Sequence, residues 1–388
     1  MAVPGLPSGA ASTTPALPHP ATAHTNTLQT LPTLPPGFLG RLGGVAHFLP
    51  STLLFPSGES ARSSAASPNI VSYCGAFGCG PLTYYGGPVM HNPTVYQIWW
   101  EPSGFTYDGT DTLSVGASDQ EYRNVINGWF LNDTNSGWMT LLQQYTDGSG
   151  APGKTVTLAG QFMDTSAFPC GTCGSVRTPL YDSDVQTEVQ KIITNYGTPD
   201  GYNTEYFVYT PLGVVECQAN PPGRQGCTAN AGGTYAGYCA YHGGFTDANA
   251  NPATYAYMYD VGSSLGSCSS WTDTVFPYGA NGDQYADYEI SVVSHEFAES
   301  ITDVDVWQAT TCSSGTTLAW YDCTYGEIGD ECAYVFPGAG ALQDHPVAVQ
   351  LQHPYFYQPE YSNSAGSCAF DPASLPAASG PSIVNVNA

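Results

Sequence analysis

Twelve cysteines, most of them in close pairs, set the tightest limit on how this 388-residue chain can fold. Cys74 and Cys79, Cys170 and Cys173, Cys217 and Cys227, and Cys312 and Cys323 stand close enough to close local loops. Cys239, Cys268, Cys332 and Cys368 remain for longer closures, whose connectivity the spacing alone leaves open. Crosslinks at this density belong to oxidising, extracytoplasmic compartments. Cys170-Gly-Thr-Cys173 lacks the second Cys-x-x-Cys of a zinc ribbon and the βαβ surroundings of a redox motif, so it reads as another disulfide.

Charge narrows the partners. Against 32 acidic residues stand 7 basic ones, and the formal net charge is -25. Such a surface repels nucleic acid and anionic lipid while attracting cations or basic partners. Charged residues are still only 10% of the chain and tyrosines number 27, so burial is available and an acidic disordered chain is excluded. No apolar run is long enough for a transmembrane segment. No basic, apolar and cleavable leader opens the sequence, yet the cysteines make a secreted, extracellular protein the expectation.

Residues 1–68 are rich in Pro, Ser, Thr and Ala and read as an N-terminal arm or pro-segment. Apolar clusters between Phe38 and Phe55 favour an arm that docks on the domain, or that mediates self-association, over one that floats. Residues 69–372 form one large, loop-rich domain, and 373–388 a C-terminal tail. Within the domain, strands are expected over Thr94–Trp100, Thr155–Leu158, Glu205–Tyr209 and Tyr255–Tyr259. Helices are expected over Asp119–Leu131, over Trp138–Tyr145, and from Asp182 as a cap through Tyr196. This order suits an α+β fold, or an α/β one with a zincin-like core.

The segment Ile290–Asp303 carries the chemistry. Ile290, Val293, Phe297 and Ile301 recur at steps of three, four and four and stack on one helical face. His295 and Glu299, four apart, turn the other way, with Asp303 one turn further. At that spacing an imidazole and a carboxylate can grip one ion, as two histidines do in zinc proteases, and Glu296 stands where those enzymes keep a general base. Glu299 in place of the second histidine adds negative charge, weakens the pull on a bound water and raises its pKa. Zinc or manganese suits such a set, and calcium tolerates its oxygens. Further ligands are sought in the glycine-flanked turn Gly326–Glu331, through Glu327 and Asp330, and in His242, read as a loop residue. The plainer alternative is a buried His295–Glu299 hydrogen-bonded pair, or one that faces water.

Several blocks resemble the exordium-like, or phosphate-induced, secreted proteins of plants and their microbial relatives. They are Leu82–Met90, Val95–Trp100, Trp138–Asp147, Gly237–Gly243, Ser291–Asp303, Gly326–Cys332 and Tyr361–Cys368, in that order. The resemblance implies an extracellular or wall-associated protein without an assured enzymatic activity, and microbial relatives whose helix matches His295, Glu296 and Glu299. Three functions follow: a secreted acidic surface or matrix protein with a degenerate metalloprotease-like metal site, a metallopeptidase using Glu296, or a glycan-binding module. The last would use Tyr84, Tyr85, Trp99 and Trp100 as a platform for a cell-wall glycan. Asn132-Asp-Thr134 is a glycosylation sequon.

Overall fold

The computed structural model describes residues 46–50, 74, 78–107, 119–132, 137–169, 178–218, 226–228, 237–264, 268, 283–309, 312, 317–333, 355 and 357–369. The bulk of the arm, the tail, Cys170, Cys173 and the sequon's Thr134 lie outside them. Thirteen strands are described: β1 (Ala46–Pro50), β2 (Thr83–Tyr84), β3 (Thr94–Trp100), β4 (Thr157–Asp164), β5 (Leu180–Tyr181), β6 (Thr204–Thr210), β7 (Glu216–Cys217), β8 (Cys227–Thr228), β9 (Gly237–Thr246), β10 (Pro252–Tyr259), β11 (Trp320–Tyr321), β12 (Glu360–Ser362) and β13 (Ser367–Ala369). Four α-helices accompany them: α1 (Asp119–Asn132), α2 (Gly137–Leu142), α3 (Asp182–Tyr196) and α4 (Gln284–Thr302).

The main sheet runs in the order β4-β3-β6-β10-β9-β8-β7-β5, with β1 also paired to β9. Strands β4, β3, β6 and β10 are parallel, and β9 returns antiparallel to β10. The mixed sheet makes this an α+β fold. The parallel half needs crossovers: α1 and α2 lie between β3 and β4, α3 between β4 and β6, and the β7–β9 segment between β6 and β10. Between β9 and β10 the chain turns on Asp247, whose Oδ1 accepts N–H bonds from Asn249 and Asn251, each at 2.8 Å.

Buried aromatics fill the core. Trp99 stacks on Tyr209 with ring centres 4.1 Å apart, and Trp138 lies against Phe297 of α4. Trp99 and Trp100 are both buried, so these strand aromatics pack the core and offer no glycan platform. The disulfides Cys74–Cys79, Cys217–Cys227 and Cys312–Cys323 form as the spacing suggests, and Cys239–Cys268 and Cys332–Cys368 supply the long closures. No helix among the described residues is long and apolar enough to cross a membrane.

Three sequence expectations need correction. The Cys- and Gly-rich stretch holding His242 is no loop: Gly237–Thr246 is a ten-residue strand in the middle of the sheet. Its glycines hid it, yet Gly244 admits the Trp307 indole, which a Cβ there would meet at 2.4 Å. Asp182 does not cap α3; Tyr181 does, and Asp184 Oδ2 accepts the Tyr181 N–H at 2.9 Å. The strand expected over Thr155–Leu158 begins later and runs to Asp164.

Candidate metal centre

Helix α4 starts at Asp283, whose Oδ1 accepts the Ala286 N–H at 2.9 Å, and ends at Asp303, where the chain leaves helical geometry. Ile290, Val293, Phe297 and Ile301 are buried, as their spacing requires. The opposite face is buried too. His295, Glu296, Glu299 and Asp303 are all closed to solvent, covered by β9, the Gly326–Cys332 turn and the approach to β12. A helix buried all round with acids on one side brings charges where water cannot solvate them.

His295 sits at the middle of this face. Its Nε2 lies 3.1 Å from Glu299 Oε1 and 4.0 Å from Asp330 Oδ1, and makes no hydrogen bond. The other ring nitrogen, Nδ1, is 3.3 Å from Gln358 Oε1, and the same amide donates through Nε2 to Gly329 O at 2.8 Å. The Gln358 amide, with its Nε2 also 3.2 Å from Nδ1, thus holds the ring so that the imidazole Nε2 faces the carboxylates, the arrangement in which a second partner orients a metal-binding imidazole. Gly329 makes the approach feasible, because a Cβ there would meet His295 Nδ1 at 2.7 Å and Glu299 Oε1 at 2.9 Å.

His242, carried by β9, faces the same helix. Its Nδ1 is 3.0 Å from Glu296 Oε2 and 3.4 Å from Glu299 Oε2, while Nε2 is 3.6 Å from Glu327 Oε1. Glu299 therefore touches both imidazoles, one with each oxygen, and Oε1 also accepts the Asp330 N–H at 3.0 Å. Asp330 Oδ2 closes its own turn by accepting the Glu327 N–H at 3.2 Å, which leaves Oδ1 without a hydrogen bond. Asp303 binds the Ala319 N–H at 2.7 Å through Oδ1, and its Oδ2 makes no hydrogen bond. All seven residues singled out in the sequence thus converge.

Two groups have the compactness an ion requires: His295 with Glu296 and Glu299, and His242 with Glu299 and Glu327, each with ligand atoms within 4.8 Å of one another. Asp303 and Asp330 belong to neither and flank them.

Electrostatics point the same way. Burial lowers the His295 pKa, but Glu299, Glu296 and Asp330 together push it up to about 10. Burial lowers His242 as well, and Glu327, Glu296 and Glu299 raise it well above the usual imidazole range. Burial raises Glu299, but His295 and His242 hold it well below the carboxylate range. Glu327, Asp330 and Asp303 are driven up by burial, with Glu299 adding to each. Without a cation this cluster must take up protons; with one, both imidazoles and the carboxylates are ready donors.

Sequence reasoning missed three neighbours, Gln358, Glu360 and Glu205, and gave the turn glycine Gly329 no role of its own. Gln358 orients His295, and Gly329 leaves room for it. Glu360 is buried with its charge acting on His295 and Glu299, and Glu205 of β6 is buried, accepts Ser300 Oγ–H at 3.1 Å and is raised by burial to about 7. No spacing rule links residues 205, 358 and 360 to the helix; only the fold does. No family model, curated protein or solved structure matches the chain.

Proposed function

We propose that this is a secreted, acidic surface or matrix protein whose buried cluster holds a divalent metal, zinc or manganese, as a structural lock. The observation that carries this reading is His295 Nε2, fully buried, turned toward Glu299 and Asp330, and without a hydrogen-bond partner among the described residues. Lys191 and Arg123 form their ion pairs elsewhere, with Asp164 and Glu188 and with Glu101. A metal there would tie α4 to β9, to the Gly326–Cys332 turn and to Gln358. The five disulfides among the described residues suit an oxidising, extracellular setting.

Elemental analysis of the full chain, followed by thermal melting with and without a chelator, tests the proposal. Metal should copurify, and its removal should cost about 4 kcal/mol where it is present at a thousandfold its Kd. A chain that takes up no metal and melts unchanged in chelator refutes it.

A second reading, metallopeptidase activity with Glu296 as general base, is favoured by one feature. β1, from the arm, pairs antiparallel with β9 and sets His47 in register with His242, so the arm fills the strand edge beside the site as a pro-segment would. Proteolytic removal of the arm should then unmask peptide hydrolysis that Glu296→Gln abolishes while metal is retained. A nicked, metal-loaded protein inert toward varied peptides leaves the structural role alone.

A further inference from the structure

We propose that the centre holds two divalent cations, not one, with Glu299 as the carboxylate that bridges them; this rests on the metal-binding reading above. The first ion would sit between His295, Glu296 and Glu299, and the second between His242, Glu299 and Glu327.

Three observations carry the inference. The first is the division of Glu299, which turns Oε1 to His295 at 3.1 Å and Oε2 to His242 at 3.4 Å. A carboxylate has two donor oxygens splayed apart, so it can serve two ions at once. The second is that the two imidazoles fall in separate compact groups with Glu299 in common, although Glu296 of the first group also lies 3.0 Å from His242 Nδ1. An ion bound about 2.0–2.2 Å from each ligand cannot hold donors much more than about 4.4 Å apart, so one ion does not collect both histidines without rearrangement. In carboxylate-bridged pairs the ions stand about 3.5–4 Å apart, which suits a single shared glutamate.

The third is charge. Glu296, Glu299, Asp303, Glu327 and Asp330 are all buried beside the two imidazoles. With all five ionised and both imidazoles neutral, one divalent ion would leave a net charge of about minus three closed off from bulk solvent, and two ions would leave about minus one. Unused donors stand on both sides for the second ion as well as the first. Glu296 Oε1 and Asp330 Oδ1 make no hydrogen bond beside His295. Asp303 Oδ2 makes none either, and its charge acts on His242, Glu299 and Glu327.

The experiment is metal stoichiometry and spin coupling on the full-length protein, stripped with chelator and reloaded with Mn(II). Two manganese ions per chain are expected, with the exchange-coupled paramagnetic resonance signal that an isolated Mn(II) ion lacks. His242→Ala and Glu327→Gln should each lower the count from two to one and abolish the coupling, and Glu299→Gln should remove the coupling. Should a variant fail to fold, the wild-type count and spectrum decide alone. One ion per chain, or two uncoupled ions, overturns the bridged pair while leaving the metal-binding reading intact. No ion at all overturns both.

Discussion

Replacing Gly329 with alanine separates a built metal pocket from an accidental crowd of acids. Gly329 has φ −75° and ψ −41°, a right-handed conformation that alanine adopts freely. If the space beside it were open, alanine would stabilise the protein by about 0.4–1 kcal/mol through the unfolded chain. It is not open: the new Cβ would lie 2.7 Å from His295 Nδ1 and 2.9 Å from Glu299 Oε1. Neither neighbour can retreat easily, because Gln358 holds the ring and the Asp330 N–H holds the carboxylate. Overpacking of this kind costs about 1–3 kcal/mol, so the net effect is a loss of roughly 1–2 kcal/mol, about 2–3 °C in melting temperature for a domain of about 300 residues. On the metal-binding proposal, metal affinity should fall more sharply, since both displaced groups would be ligands; a drop of about 10–100-fold is the scale for disturbed ligand support. Gly148, exposed and with nothing within 4 Å of a Cβ, gives the control: Gly148→Ala should leave metal affinity unchanged and melt at or slightly above wild type. The measurements are calorimetric melts and competition titration against a chromophoric chelator. If Gly329→Ala melts at or above wild type with full metal affinity, His295 and Glu299 do not meet at that glycine and the site described is wrong.

Gln358→Leu keeps the bulk but removes the partner of His295 Nδ1, and should weaken metal binding about 10–100-fold; unchanged affinity by titration would deny Gln358 an orienting role. Breaking Cys332–Cys368 with a double serine substitution frees a loop of 36 residues, worth about 4 kcal/mol by chain entropy, and should loosen the turn bearing Asp330; a melt unaffected by the substitution speaks against that. Asp182 offers a pH test away from the metal centre. Burial raises its pKa from 3.8 to about 6 despite hydrogen bonds from Tyr255, Tyr241 and Gln186. Its contribution is complete below about pH 4, where both folded and unfolded states are protonated, and is lost as pH rises through about 6, at about 1.4 kcal/mol per unit. Asp182→Asn should therefore be less sensitive than wild type between pH 4 and 6, and equal slopes in denaturant titrations would contradict this.

Much of the fold was legible because its elements carry strong local signals. The residues of β3, Thr94–Trp100, are β-branched and aromatic almost throughout, and α4 announces itself by Ile290, Val293, Phe297 and Ile301. β9 was illegible because Gly237, Gly243 and Gly244 weaken strand propensity, and what makes it a strand is pairing with β10 along its length. His242 was therefore found by residue type and misplaced in structure. That His295, Glu296 and Glu299 share one helical face was legible from spacing, and the nearness of Glu327 and Asp330 was suggested by their glycine-flanked turn. Gln358 and Glu360 had no signal, since they reach His295 only through long-range closure. The Cys332–Cys368 bridge supports that closure, and spacing did not determine it.

The substitution at Glu299 looks like damage when the helix is compared with a protease motif, and the surroundings give it another meaning. An imidazole at that position would present one nitrogen to the metal beside His295 and nothing usable to His242 across the gap. A carboxylate presents an oxygen to each, and here the two oxygens do face the two rings. The strands and turns bring Asp303, Glu327 and Asp330 to the same place, where a single zinc ion in a two-histidine grip would leave them as buried, uncompensated charge. These acids make sense together with Glu299. On the bridged-pair proposal, restoring histidine with Glu299→His should lower the metal content from two ions to one and reduce thermal stability, although it recreates the protease spacing. A Glu299→His variant that binds its metal more tightly than wild type and melts higher would show that Glu299 is a lost ligand after all.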